Sequence, residues 1–298
     1  MSKITKRYST RNCFITIDFE DWETIPYLKK YNFDESCNFS FCEDPRFFTF
    51  FDELKEKGIS ATIFVVASIA EANTKVLRHA CEDGHSIGCH SFGHDNLKNM
   101  SLENFCASTA NAKRVIEQTI QGTIFCYRAP FFSADKEKLL ALPSLGFSCD
   151  SSYIDSSSNP YYVHNDFSGW ITGGNGFLVS EESTLQEAEI PTVKFFGKKI
   201  PIGGGGFFRL YPFFFYKALV SKYLKTHQNF VFFIHPYEIN YRKFPGVHQM
   251  SFADRVRFDL GRKKALKKFW KLVGFLKKKG FTFNNFDHYF LPITGGHK

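Results

Sequence analysis

Short, nearly continuous apolar runs alternate along this chain with stretches of helical patterning, and that alternation constrains the fold more than any other feature. Cys13–Asp18 (CFITID), Ala61–Ala67 (ATIFVVA), Ser86–Cys89, Thr123–Tyr127, Phe147–Asp150, Phe230–Ile234 (FVFFI) and Phe281–Phe283 read as strands. Between them Pro45–Lys57, Asn73–Asp83, Leu102–Gln118, Ala134–Leu142, Pro212–Thr226 and Arg262–Lys279 read as helices. A strand without polar alternation is buried on both faces, and strands joined through helices reach that state in a mostly parallel sheet. The expectation is α/β: one barrel-like domain over residues 1–298, with its core at about 13–290. From about 151 to 210 the pattern weakens into Asn-Pro, Gly-Gly-Asn-Gly and GGGG text, which predicts an insertion of loops and short hairpins.

At 298 residues the chain can bury a core without disulfide or metal staples. Its eight cysteines form no CxxC pair, and Cys126 and Cys149 sit inside apolar text, so reduced thiols and a cytoplasmic setting are expected. The first residues, MSKITKRYSTRNCF, hold no apolar stretch of signal-peptide type, and no run approaches the ~20 residues of a membrane span. The formal charge of +8 is concentrated late: Arg255–Lys279 carries eleven basic residues and one acid. That balance favours an anionic glycan, a diphosphate carrier or a membrane's inner face. No nucleic-acid-binding motif accompanies it, so nucleic acid is not expected as a partner. In the last helix Leu266, Phe269, Trp270, Val273 and Leu276 make one apolar stripe. The stripe reads either as the core-facing side of a barrel helix or as a peripheral membrane contact.

Chemistry-bearing residues gather where the strands end, the place where active sites form in parallel α/β folds. Asp18, Glu20 and Asp21 follow the first strand, and three carboxylates so close together repel unless a cation offsets them. His90 and His94 follow the third strand in His-x3-His spacing. Two imidazoles, one carboxylate and an open position for water make the donor set of a catalytic metal site. His85, before that strand, reads as structural. Arg128 precedes Ala129-Pro130-Phe131-Phe132 at another strand end, where it can hold a carboxylate in a two-pronged grip. Pro130 fixes the backbone there, leaving the Phe131 amide to face an oxyanion. Asp150-Ser151-Ser152 and His235-Pro236-Tyr237-Glu238 close two further strands. A His paired with an Asp at a neighbouring strand end can act as a general acid.

The order of these clusters resembles the NodB-type polysaccharide deacetylases, carbohydrate esterase family 4. IDFEDW, HSFGH, YRAPFF, CDSS and IHPYE correspond to that family's five motifs, and the likeness runs from about Ile15 to Phe286. It is strongest toward the branch associated with exopolysaccharide and O-antigen biosynthesis, related to the peptidoglycan-deacetylase and allantoinase-like group. The resemblance implies a distorted (β/α)7 barrel. It also implies metal-dependent hydrolysis of an N-acetyl amide on an amino sugar of a glycan, free, lipid-linked or nucleotide-linked, releasing acetate.

By position, Asp18 would be the general base, His90 and His94 metal ligands, Arg128 the residue orienting Asp18, and His235 the general acid tuned by Asp150. Two departures stand out. Phe19 separates Asp18 from the next acids, so the carboxylate ligand is Glu20 or Asp21; Asp21 is favoured because a strand end normally gives way to a turn. Ile154 stands where the family has a Trp. Zinc is the expected metal, while cobalt, nickel or manganese would suit the same ligands. Phe132, Phe208 and Arg209 are the candidates for substrate contact, Arg209 toward an anionic group. Tyr161, Tyr162, Trp170 and Phe207 could stack on sugar rings or pack in the core. The competing readings are a C–N hydrolase acting on a ureide or cyclic amide, and a glycan-binding module without catalysis.

Overall fold

The computed structural model describes residues 11–25, 28, 31, 40–156, 169–173, 176–244 and 247–290. Its strands are β1 (Arg11–Phe19), β2 (Ala61–Val65), β3 (Ser86–Cys89), β4 (Cys126–Tyr127), β5 (Cys149–Asp150), β6 (Trp170–Thr172), β7 (Leu178–Ser180), β8 (Ser183–Glu187), β9 (Thr192–Phe195), β10 (Lys198–Pro201), β11 (Asn229–Ile234) and β12 (Phe281–Phe283). The helices that matter below are α1 (Arg46–Glu56), α2 (Thr74–Glu82), α3 (Leu102–Ile120), α4 (Lys136–Ala141), α5 (Gly205–Leu210), α6 (Phe213–Tyr223), α7 (Pro236–Ile239) and α8 (Ala265–Lys278).

Seven strands run parallel in the order β11-β1-β2-β3-β4-β5-β8, the staves of a NodB-like (β/α)7 barrel. β1 is the hub. Asn12–Ile17 pair with β11 on one edge; on the other, Arg11–Cys13 pair with β12 and Ile15–Phe19 with β2. Because all seven staves point one way, Asp18, His90, Arg128, Asp150 and His235 come to one end of the barrel.

The opening between β8 and β11 is bridged by the glycine run. The N–H of Phe233 donates to Gly203 O at 2.7 Å, and a Cβ at Gly204 (φ 142°) would lie 2.0 Å from the Phe233 carbonyl oxygen. Only glycine permits that approach.

One barrel stave is absent from the strand pattern of the sequence. β8 (STLQE) buries only Leu185 and Glu187, so it lacks the continuous apolar text of the other staves. It is recruited as the last strand of the β6–β7–β8 meander, whose antiparallel pairs deliver it to β5. β12, read as a stave in the sequence, lies beside β1 and off the main strand order.

The helices bury phenylalanine against the outside of the barrel. α1 contributes Phe47, Phe50, Phe51 and Leu54, and Phe47 meets Phe19 edge to face at 5.5 Å. Each such ring is worth roughly 1.5–3 kcal/mol in burial. α8 turns Phe269, Leu272, Val273 and Leu276 into the same core, so its apolar stripe faces inward and its lysines are the solvated side.

Candidate active site

Two carboxylates at the end of β1 reach one cavity. Asp18 and Glu20 are two residues apart and both border the cavity at the barrel mouth, which has a volume of about 260 Å³. His90, His94, Phe131, Phe132, Arg209 and His235 line the same cavity.

Glu20, His90 and His94 form one group, each offering a ligand atom within 4.8 Å of the others, and all three are buried. The Glu20 carboxylate touches His94 Nε2, while His94 Nδ1 is buried without a hydrogen-bond partner. His90 donates or accepts through Nδ1 to the Arg128 carbonyl at 2.8 Å; with a carbonyl as partner it must donate, leaving the Nε2 lone pair for the cavity. Burial lowers the His90 pKa to about 4 despite the nearby Asp18 and Glu20, so this imidazole is neutral, as a ligand must be. Oxygen and nitrogen donors of this kind, with a buried ring nitrogen left over, fit a divalent cation.

This geometry brings Glu20, and not the favoured Asp21, beside the two histidines. Asp21 lies one residue on, where the chain turns into a short 3-10 helix (Trp22–Thr24) that it caps. Its oxygens accept from the backbone N–H groups of Trp22 at 2.7 Å and Phe41 at 3.2 Å, and from the Ser40 hydroxyl. The turn does occur at the strand end. It carries Asp21 away from the histidines and leaves Glu20, whose N–H bonds back to Asp18 O at 3.0 Å just past β1, beside them.

Arg128 is fully buried and anchors Asp18. Nη1 donates to Asp18 Oδ1 at 2.6 Å and to Thr16 Oγ1 at 2.7 Å; Nε and Nη2 donate to Ser151 O and Oγ at 2.9 and 2.8 Å. Its guanidinium lies over the Phe64 ring, 4.3 Å from the centroid. Burial alone would raise the Asp18 pKa, but Arg128, His90 and His235 outweigh it and hold the carboxyl below its ordinary value. Asp18 is therefore a buried carboxylate that stays ionised.

Sequence reasoning paired His235 with Asp150, and the structure pairs it with Glu238. His235 Nδ1 donates to Glu238 Oε2 at 2.8 Å, and the same oxygen accepts the His235 backbone N–H at 3.0 Å. Asp150 is engaged elsewhere. It accepts from the Ser152 N–H and hydroxyl at 2.9 and 2.8 Å, and stands in register with buried Glu187 on β8. Burial and the facing Asp150 carboxylate push Glu187 well up, so the two acids cannot both be ionised.

Glu238 was overlooked as a functional residue although its signal was present. His-Pro-x-Glu is a capping pattern: His235 caps α7, Pro236 is its first residue, and Glu238 reaches back as the third. Burial works against a charged His235, yet Glu238, Glu20 and Asp18 together raise its pKa to about 9. Its Nε2 faces Glu20 Oε1 at 3.7 Å and Asp18 Oδ2 at 3.9 Å.

Three substrate-contact expectations meet different outcomes. Arg209 borders the cavity but is spent on Glu238: Nε lies 2.6 Å from Oε1, Nη1 donates to Leu260 O at 2.8 Å, and Nη2 to Arg257 O. Its cation lies against the partner of His235. Phe208 is core, packed on Phe232 at 4.8 Å and Tyr216 at 5.1 Å, and the cavity-lining ring is its neighbour Phe207. Phe132 does line the cavity, edge-on to Phe233 at 5.3 Å.

Phe131 has a left-handed backbone (φ 56°) and its ring stands 4.6 Å from that of His94, at the cavity wall. Trp170 is buried in the core, and Tyr161 and Tyr162 lie outside the described residues. His85 accepts the Ala61 N–H at 3.1 Å on the far side of the core and does not border the cavity.

The mouth of a parallel barrel thus holds a carboxylate–imidazole cluster, an Arg-braced carboxylate and a protonated histidine. Residues 22–149 match the polysaccharide deacetylase family. Residues 156–291 match a domain of unknown function, DUF3473, and this second segment carries Arg209, His235 and Glu238. Chitin deacetylase 1 of Cryptococcus neoformans var. grubii is 28% identical over 138 residues, 46% of this chain, so the match spans under a third (29%) of that protein. A peptidoglycan N-acetylglucosamine deacetylase of known structure superposes with a TM-score of 0.53 at 14% identity, covering 95% of this chain and 89% of that one. A CE4 family pseudoenzyme from Bacillus anthracis superposes equally well, with a TM-score of 0.53 at 12% identity over 94% of this chain and 66% of that one. Since the same fold houses both, activity has to be argued from the site.

Proposed function

We propose that this protein hydrolyses the N-acetyl amide of an amino sugar in a glycan or glycan precursor, releasing acetate and the free amine. The observation that carries this reading is the meeting, in one cavity, of an ionised Asp18, the Glu20–His90–His94 group and a protonated His235. A deacylase needs a proton acceptor, an electrophile and a proton donor together. The similarity to chitin deacetylase supports the same chemistry.

Glu20, His90 and His94 would hold a divalent metal, zinc being the best match to two imidazoles and one carboxylate. When bound, that ion supplies Lewis acidity and lowers the pKa of water. The chain's own residues account for the proton traffic. Asp18, fixed by Arg128 in one orientation, accepts the proton of the attacking water as the new C–O bond forms. Phe131, which lines the cavity, would turn its amide N–H toward the developing oxyanion. His235 delivers the proton from Nε2 to the sugar nitrogen as the C–N bond breaks, while Nδ1–H stays on Glu238. His235 and, after it, Arg209 keep Glu238 ionised, and Arg209 holds it in place, so Glu238 and Arg209 are positioning residues.

A reducing, cytoplasmic setting fits the seven cysteines among the described residues, all free. No helix among those residues is long and apolar enough to cross a membrane. Acetate release from N-acetylated chitooligosaccharides, with and without a chelator, tests the proposal directly. Release abolished by chelation, by Asp18→Asn and by His235→Ala is the expected result; release that ignores the chelator would overturn it.

A further inference from the structure

Six large hydrophobic side chains stand out in solvent among the described residues: Ile171, Phe196, Leu210, Phe214, Phe252 and Leu260. Five of them belong to three segments that pack together around one side of the cavity mouth. Leu210 ends α5 and lines the cavity, and Phe214, 77% exposed, opens α6. Phe196, 91% exposed, sits at the turn of the β9–β10 hairpin. That hairpin leans on α6 through Phe195 and Phe215 at 5.4 Å and ends at the cavity with Pro201. Phe252 and Leu260 lie on a segment whose Arg257 and Phe258 also line the cavity, and Arg209 fastens it to α5 by donating to Leu260 O at 2.8 Å.

The charge of the same segments has one sign. Residues 190–237 contain seven Lys or Arg and no Asp or Glu. Between Arg255 and Lys279 the lone acid, Asp259, is paired with Arg262 at 2.9 Å, which leaves exposed Arg255, Lys263, Lys264 and Lys267 unopposed within that stretch. Exposed Phe and Leu tips set in a cationic field are what an interfacial surface needs: apolar groups enter the acyl boundary while lysine and arginine meet anionic headgroups. A platform for sugar rings would instead set hydrogen-bonding carboxylates and amides around its aromatics, and residues 205–217 contain none.

We propose that this rim docks the protein on an anionic phospholipid surface, with the cavity mouth at the interface, so that the glycan processed is one held at that surface. The identity of what is processed there rests on the deacetylase reading; the docking itself does not. The apolar stripe of α8, the sequence's own candidate for membrane contact, packs on the core, and the surface lies instead on α5, α6, the β9–β10 hairpin and residues 252–264.

Co-sedimentation of the full chain with phosphatidylcholine vesicles, with and without phosphatidylglycerol, is the test. Pelleting is expected only with the anionic vesicles. Phe196→Ser/Phe214→Ser/Leu260→Ser and, separately, Lys263→Glu/Lys264→Glu should each lower partitioning by about tenfold or more. Ile171→Ser should leave it unchanged, and all variants should keep the wild-type circular dichroism and turnover of soluble chitooligosaccharides. No pelleting with anionic vesicles, or rim variants that pellet like wild type, would overturn the proposal. Rim variants that still pellet but show a raised KM on long soluble glycans would identify the patch as a glycan platform and equally defeat it. A protein that pellets without releasing acetate refutes the deacetylase reading alone, and one that releases acetate without pelleting refutes the docking alone.

Discussion

His235 and Glu238 hold each other twice, through a 2.8 Å side-chain hydrogen bond and a 3.0 Å bond from the His235 backbone N–H to the same carboxylate oxygen. The pair is local, three residues apart across the first turn of α7, yet it raises the pKa of the group that the proposed reaction would offer to the leaving amine. Arg209, from a segment nearly thirty residues upstream, locks the other oxygen at 2.6 Å.

Removing the positioning charge should therefore separate kcat from KM. Glu238→Gln keeps the shape and loses the charge that raises the His235 pKa, so kcat is expected to fall about 10- to 100-fold, with the alkaline limb of its pH profile moved to lower pH. Arg209→Met should act in the same direction with little change in KM, because Arg209 sits behind Glu238. A large rise in KM on a charged glycan, with kcat intact, would return Arg209 to substrate contact.

The same pair makes stability depend on pH in the metal-free protein. The folded pKa of His235, about 9, lies above the ordinary histidine value, so its contribution is fully present below about pH 6.5 and lost as pH rises through 9. Chelator-treated wild type should lose roughly 2–3 kcal/mol from this source across that window, and Glu238→Gln should lose little. Thermal melts of both at pH 6, 7.5 and 9 check the difference; parallel losses would dismiss the linkage.

Metal content distinguishes Glu20 from Asp21. Glu20→Gln should cut bound metal, measured by elemental analysis, at least about tenfold while the fold persists. Asp21→Ala should retain the metal and cost about 1–2 kcal/mol of stability, the value of a helix cap with buried N–H partners. The reverse pattern would restore Asp21 as the ligand.

Closure of the barrel depends on one atom's worth of room. A methyl at Gly204 would fall 2.0 Å from the Phe233 carbonyl oxygen, so Gly204→Ala must displace the bridge to β11. A loss of about 3 kcal/mol or more is expected, with activity falling alongside, since β11 ends at His235. Gly197→Ala, where nothing lies within 4 Å, is the matched control: its positive φ (79°) gives it the strain but no collision.

Much of this architecture could be read from the chain. Continuous apolar text marks a strand buried on both faces, so six of the seven barrel staves and the helices between them were legible, with β1, β3 and β11 close to their observed bounds. Strand ends then placed Asp18, His90, His94, Arg128 and His235 at one mouth. β8 was not legible, because a stave flanked by a meander needs only two buried side chains and leaves no periodic trace.

The sequence by itself determined which chemical groups exist and which end of the barrel they reach, because the direction of a parallel strand follows from its connections. Only the tertiary structure decided how they pair. Whether Glu20 or Asp21 meets the histidines depends on the residue at which β1 yields to a turn. Whether Asp150 or Glu238 holds His235 depends on distances between segments that no spacing in the chain encodes. Electrostatic partnership falls off over a few ångströms, and positions to that precision are set by packing, which is a property of the whole fold.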